Sequence, residues 1–161
     1  MMNLFLKFLE KTGRRRVIMD RESKEPYLVR HYLFLKDRDK FPFNIFLHQF
    51  LSSDPDDLHD HPWPYFTLIL KGGYWEWIPV FNELKIITGE KRVWRGPGHF
   101  RICKANSYHR IELDPTVDCW TLFMPGPHKR EWGFLTHRGW IYETQRWIGH
   151  REYISGRSKN V

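Results

Sequence analysis

Three histidines carry the chemistry open to this sequence. His59 and His61 stand one residue apart in "DLHDHPWPYF", and His109 opens a strand-like run just after the Lys104–Ser107 turn in "HFRICKANSYHRI". Neutral imidazole is the commonest protein ligand for metals such as zinc, iron, copper and nickel. In extended chain, residues i and i+2 project to the same side, so His59 and His61 can converge on one ion while Asp60 points away. A third ligand has to come from an adjacent strand, and His109 is placed to supply it. The competing reading of the pair is two loop histidines that cap a strand or bond to Asp57 and Asp60.

Around this trio the sequence offers a candidate pocket. His48 in "FLHQF" precedes the pair by one strand and either lines the pocket or is a hydrogen-bonded interior histidine. Trp63, between two prolines, is either pocket wall or packing over a rim. Tyr65 and Thr67 share the parity of His61 if the strand is regular, and Phe66 shares it if a bulge intervenes. Arg101 and Arg110 flank the His109 turn, and Arg130 sits in "GPHKREWGF". Arginine grips carboxylate or phosphate through two parallel bonds, so Arg101 and Arg130 are candidates for an anion-binding rim, with a solvated charged loop as the alternative for the second.

The elements that must position these residues read as strands. Segments of five to nine residues rich in Val, Ile, Phe, Tyr and Trp alternate with turn clusters such as "SSDPDD", "KGG", "TGE", "RGPG" and "PGPHK", the rhythm of an all-β sandwich or barrel. Strands are expected at 28–36, 43–51, 64–71, 74–80, 84–88, 91–95, 99–103, 108–113, 117–124 and 132–136. Ahead of them, Met2, Phe5, Phe8 and Leu9 share a face at helical spacing and Gly13 is a stop, which predicts a short amphipathic helix over 2–12 packed on the body. The C-terminal tail, 144–161, is expected to hold a last helical turn or two within 145–153 and to fray over 155–161. The whole chain reads as one domain, with a core barrel over about 28–136.

Here the sequence resembles the cupins. Their first motif is His-x-His, three or four residues, Glu, six residues and Gly, and in this chain His59 and His61 are followed at the four-residue gap by Phe66 in place of Glu, then by Gly73. Their second motif places Gly, Pro, Gly and His where Gly98, Lys104, Asn106 and His109 stand; Asn106 is the next-best residue to Gly at a left-handed turn position, and Lys104 is a departure. The resemblance spans about residues 43–136. It implies a jelly-roll double-stranded β-helix, a divalent metal held by His59, His61 and His109, and a homodimer paired through its sheets. With Phe66 for Glu, the centre would have three neutral ligands, similar to the three-histidine iron centres of the thiol dioxygenases, whose first motif "LHDHP" resembles. Fe(II) is then the expected ion, with Zn, Ni or Mn as ions that purified protein can carry instead.

Composition bounds the rest. The 161 residues are 41% hydrophobic and 17% aromatic, enough for a core and against a disordered chain. Residues 1–80 hold 12 Lys+Arg against 11 Asp+Glu and residues 81–161 hold 14 against 8, so the +7 charge is +1 and +6. A basic half suits anionic small molecules, solubility or nucleic acid, but no nucleic-acid signature accompanies it, and Arg14–Arg16 reads as solvated. Two cysteines make no disulfide framework, and the start has the reverse order of a secretory leader, so a reducing, cytoplasmic setting without membrane insertion is expected. The functional expectation is a metal-dependent oxygenase or dioxygenase acting on a small molecule, a thiol or an anion among the candidates. Two alternatives from other classes are a cupin-like binding or regulatory module with a structural metal, and a nucleic-acid-associated protein.

Overall fold

The computed structural model describes residues 2–20, 23–36, 41–54, 57–84, 86–136 and 139–142. One helix, α1 (Met2–Lys11), precedes twelve strands: β1 (Arg15–Met19), β2 (Pro26–Tyr32), β3 (Phe46–Phe50), β4 (Leu58–His59), β5 (Tyr65–Lys71), β6 (Tyr74–Phe81), β7 (Ile87–Arg95), β8 (Phe100–Cys103), β9 (Arg110–Leu113), β10 (Cys119–Pro125), β11 (Gly133–Thr136) and β12 (Gly139–Tyr142). The predicted final turn in 145–153 and the tail lie outside the described residues.

The helix ends as its sequence requires. Gly13 adopts φ +66, its N–H donates to the Glu10 carbonyl and the Arg14 N–H to the Leu9 carbonyl, a left-handed cap that closes the last turn. Its packing differs from expectation. Leu9 is buried and Leu6 half-buried, but Phe5 and Phe8 on the predicted packing face are exposed, so the helix rests on its leucines rather than its phenylalanines.

All strand pairs are antiparallel. A six-stranded sheet runs β1-β2-β3-β10-β5-β8, and two three-stranded sheets run β12-β11-β4 and β7-β6-β9. A single bridge, His59↔His109, joins the last two along β4 and β9. The second layer therefore reads β12-β11-β4-β9-β6-β7, six strands against six, the two layers of a jelly roll. The core between them is built from both: Ile69 of β5 and Cys119 of β10 pack on Tyr74 of β6 and Ile111 of β9. Cys103 and Cys119 are buried free thiols.

Three predictions of detail are corrected. Residues 84–88 and 91–95 are not two strands; β7 runs unbroken and pairs with β6 from Tyr74↔Arg95 to Phe81↔Ile87. The turn lies earlier, where the Asn82 carboxamide and backbone close on Ile86. β1 is a strand despite its arginines, because β2 pairs with it from Arg15↔His31 to Met19↔Pro26. Asn106 does not take a positive φ; among the described non-glycine residues only Lys24 does.

Candidate metal centre

The bridge between the two halves of the second layer creates the site. His59 N–H donates to the His109 carbonyl at 2.9 Å and His109 N–H to the His59 carbonyl at 3.0 Å. Residues that exchange both backbone bonds across an antiparallel pair put their side chains on one face. His61, two residues on, is held by its N–H to the Ala105 carbonyl at 3.1 Å, within the turn that leads to His109. The three rings stand 5.0–5.2 Å apart, centroid to centroid. One ring nitrogen from each lies within 4.8 Å of the others.

The intervening Asp60 does turn away, and it has its own task. Its carboxylate is fully buried; Oδ1 accepts the Gly133 N–H at 2.7 Å, and Oδ2 accepts the Trp140 indole N–H at 3.1 Å and pairs with the Arg130 guanidinium at 3.2 Å. The histidine segment is thereby tied to the β11–β12 hairpin, whose Phe134, with Trp132 just before it, lines the same cavity. Burial pushes the Asp60 pKa up, against the Gly133 amide, Arg130 and Trp140, which stabilise the charged form.

The electrostatics of the centre are set by a residue outside the motifs. Glu76 on β6 is 1% exposed and accepts the His109 Nδ1–H at 3.0 Å. Arg95 Nε donates to the same carboxylate at 2.8 Å, and Arg101 pairs with it as well. Burial alone would raise the carboxyl, but His109, Arg101 and Arg95 outweigh it and bring the pKa down to about 2. A carboxylate on Nδ1 leaves Nε2 of His109 as the bare lone pair. That Nε2 faces His61 Nε2 at 2.9 Å and the Tyr65 hydroxyl at 3.3 Å.

These residues fit a divalent ion. Two nitrogens bound to one ion at about 2.0–2.1 Å and at right angles stand about 3 Å apart, as His61 and His109 do. A carboxylate behind a ligating imidazole is the usual means of fixing its tautomer. Burial, then the neighbouring His109 and His59, push the His61 pKa well below its usual value, which keeps its lone pair available near neutrality.

The expectation that Phe66 stands in for the missing ligand is corrected. Phe66 does not line the cavity; it is half-buried and stacks on Phe100 with centroids 6.2 Å apart. Tyr65 is the residue that faces the histidines. The motif's shorter three-residue gap places Tyr65 at the Glu position and Gly72 at the Gly position, and the doubled glycine made both registers fit. The centre is also not free of negative charge, since Glu76 stands behind His109.

A cavity of about 340 Å³ opens from the centre between the layers. His48, Trp63 and Tyr65 line it together with His59, His61 and His109. Arg101 and Arg130, expected at the pocket, do not line it: each is spent on a buried carboxylate, Glu76 and Asp60 respectively. Sequence reading missed Glu76, because its partners arrive from three other strands, and Arg30, Thr121, Trp132 and Phe134. For Glu76 a signal existed: a lone acid in the aromatic strand "YWEWIPV" has to be paired if it is buried.

No protein-family model matches the chain, and no curated protein matches its sequence. Solved structures do. A cupin-2 domain from Rhodospirillum rubrum superposes with a TM-score of 0.55 at 13% identity over 78% of each chain. The Fe(II) form of HppE with an alternative substrate gives 0.50 at 14% identity over 70% of this chain and 56% of that one, so the match takes in little more than half of HppE. The polyketide cyclase RemF from Streptomyces resistomycificus gives 0.50 at 16% identity over 71% and 75%. At such identities the likeness concerns the fold, and with the two facing six-stranded layers it establishes that this chain has the cupin fold.

Proposed function

We propose that the protein is a metal-dependent enzyme in which His59, His61 and His109 hold a divalent ion, Fe(II) first, and a small molecule reacts with dioxygen in the adjoining cavity. The observation that carries this reading is the convergence of three histidine nitrogens within 4.8 Å on the wall of a 340 Å³ cavity. That volume lies within the usual range for ligand pockets. An ion bound by three neutral nitrogens supplies Lewis acidity and, if iron, redox chemistry, with positions left for substrate and oxygen.

The chain's own part is positioning and exclusion of water. Glu76 holds the proton on Nδ1 of His109 and so keeps Nε2 directed at its neighbours. The Tyr65 hydroxyl, whose pKa burial raises well above 10, stays protonated and available as a hydrogen-bond donor beside the same nitrogen. Trp63, Trp132, Phe123 and Phe134 supply an apolar wall that limits access of water.

The test is oxygen uptake by anaerobically Fe(II)-loaded protein against a panel of thiols, carboxylic acids and phosphonates. The reading expects uptake matched by loss of one substrate and abolished in His109→Ala. No uptake above that of free Fe(II), with an ion fully enclosed by four protein ligands, would instead favour a binding module with a structural metal.

A further inference from the structure

The helix carries an apolar strip that the fold leaves uncovered. In α1, Leu9 and Leu6 turn to the body, whereas Leu4, Phe5 and Phe8 are 76%, 46% and 59% exposed. Leu4 stands four residues before Phe8 and Phe5 three before it, so the three side chains are neighbours on the helix surface. Lys7 and Lys11 come three residues after Leu4 and Phe8, border the strip along its length and line one shallow surface hollow with it. The helix's one acid, Glu10, pairs with Arg15 at 3.5 Å rather than with either lysine.

The charge around the strip has one sign. Between residues 2 and 19 the cations Lys7, Lys11, Arg14, Arg15 and Arg16 stand against Glu10 alone. The fold then brings a further cation to the helix end: the ammonium of the exposed Lys36 lies 3.2 Å from where a Cβ on Gly13 would stand. An apolar strip with a basic border decides among partners. A phosphodiester backbone would use the lysines and leave the strip in water. A second copy meeting this one strip to strip would bring Lys7 and Lys11 of both chains together, a like-charge contact. An anionic lipid surface uses both features, since acyl chains take Leu4, Phe5 and Phe8 while the lysines reach headgroup phosphates on their flexible stems. The ten residues of α1 rise about 15 Å, half the thickness of a hydrocarbon core, so the contact is adsorption on one leaflet and not a span.

We propose that α1 docks this protein on anionic lipid bilayers, lying in the plane of the interface with Leu4, Phe5 and Phe8 towards the acyl chains and Lys7 and Lys11 at the headgroups. Arg14–Arg16 and Lys36 add longer-range attraction that salt screens. The surface is separate from the metal centre, and the proposal stands with or without a bound ion.

Co-sedimentation of the full chain with phosphatidylcholine vesicles, with and without about one-third phosphatidylglycerol, tests it. Wild type is expected to bind the anionic vesicles roughly tenfold or more tighter than the neutral ones, and to lose most of that gain as NaCl rises from about 0.1 to 0.5 M. Leu4→Ser/Phe8→Ser, which removes apolar area at exposed positions, is expected to weaken binding to the anionic vesicles roughly tenfold. Lys7→Glu/Lys11→Glu is expected to abolish the preference, and Lys91→Glu/Lys129→Glu, the same charge change at exposed lysines elsewhere, to stay within about threefold of wild type. Wild type that binds neither vesicle, or both equally, overturns the proposal, as does undiminished binding by folded Leu4→Ser/Phe8→Ser or an equal loss in the two charge variants. Self-association that Leu4→Ser/Phe8→Ser abolishes, in protein that binds no vesicle, would overturn it in favour of a second copy.

Discussion

Glu76 shows how a residue's role can depend wholly on what the fold brings to it. Its carboxylate, lowered from an ordinary 4.5 to about 2, takes bonds from His109, Arg95 and Arg101. Because the folded pKa lies below the unfolded one, the unfolded chain binds the proton more readily, and the stabilisation is complete above about pH 4.5 and lost as pH falls towards 2. A depression of this size corresponds to about 3 kcal/mol. Urea unfolding of metal-free protein should therefore show wild type losing stability between pH 5 and 2.5 more steeply than Glu76→Gln; parallel curves would contradict the pairing. In the same variant, metal affinity should fall about 10–100-fold, the usual effect of removing the carboxylate behind a ligating histidine, as read by competition with a chelator. The ligand histidines were legible in the sequence because strand parity and motif spacing are local. Glu76 and Arg30 were not, since a residue's burial and partners across strands leave little trace in its own neighbourhood. Tyr65 was legible only as one of two registers, which Gly72 and Gly73 left equal.

At the scale of elements, a two-residue strand does what longer ones usually do. β4 pairs Leu58 and His59 with β11 on one side and bridges to His109 on the other, so it closes the second layer. Asp60 then anchors the hairpin that follows. Asp60→Ala should leave the Gly133 amide and the Trp140 indole without their acceptor and lower stability by about 2–4 kcal/mol, measured by denaturant unfolding; a change under about 0.5 kcal/mol would contradict its anchoring role. The glycines separate turn from strand. Gly72 has φ +73 and an added Cβ would lie 2.5 Å from the Asp118 carbonyl oxygen, whereas Gly89 has open space around it. Gly72→Ala is expected to cost about 2–4 kcal/mol, and Gly89→Ala to range from no change to a gain of about 1 kcal/mol in the same assay. This contrast also explains where sequence reading erred. "TGE" has turn composition, but pairing with β6 holds it extended, while "KGG" is a true turn because its backbone needs positive φ. The basic start of β1 was read as solvated, and Arg15 and Arg16 are indeed exposed, while the strand pairs at the sheet edge with β2.

For the whole molecule, the apolar–polar rhythm sufficed to predict an all-β sandwich or barrel and the cupin resemblance supplied the jelly roll, but neither showed which outer surfaces stay open. No helix among the described residues is long and apolar enough to cross a membrane. The outer face of β5 and β8 carries Phe66 opposite Ile102 and Leu68 opposite Phe100, and Phe100 and Ile102 are 61% and 82% exposed. β8 also ends its sheet, with an unpaired edge among the described residues. An apolar face beside an open edge suits a second copy of this chain, the homodimer expected from the sequence. If this face pairs two copies, wild type sediments as a dimer and Phe100→Lys/Ile102→Lys as a monomer; a monomeric wild type would rule this interface out. The central claim is that the two halves of the second layer meet to form a metal centre from His59, His61 and His109. Its most direct measurement is metal content after anaerobic loading with Fe(II), followed by X-ray absorption at the metal edge. The account predicts one ion per chain, an imidazole-rich nitrogen and oxygen shell, and loss of the ion in folded His59→Ala and His109→Ala. Wild type without a bound ion, or an ion retained equally by both variants, would contradict it.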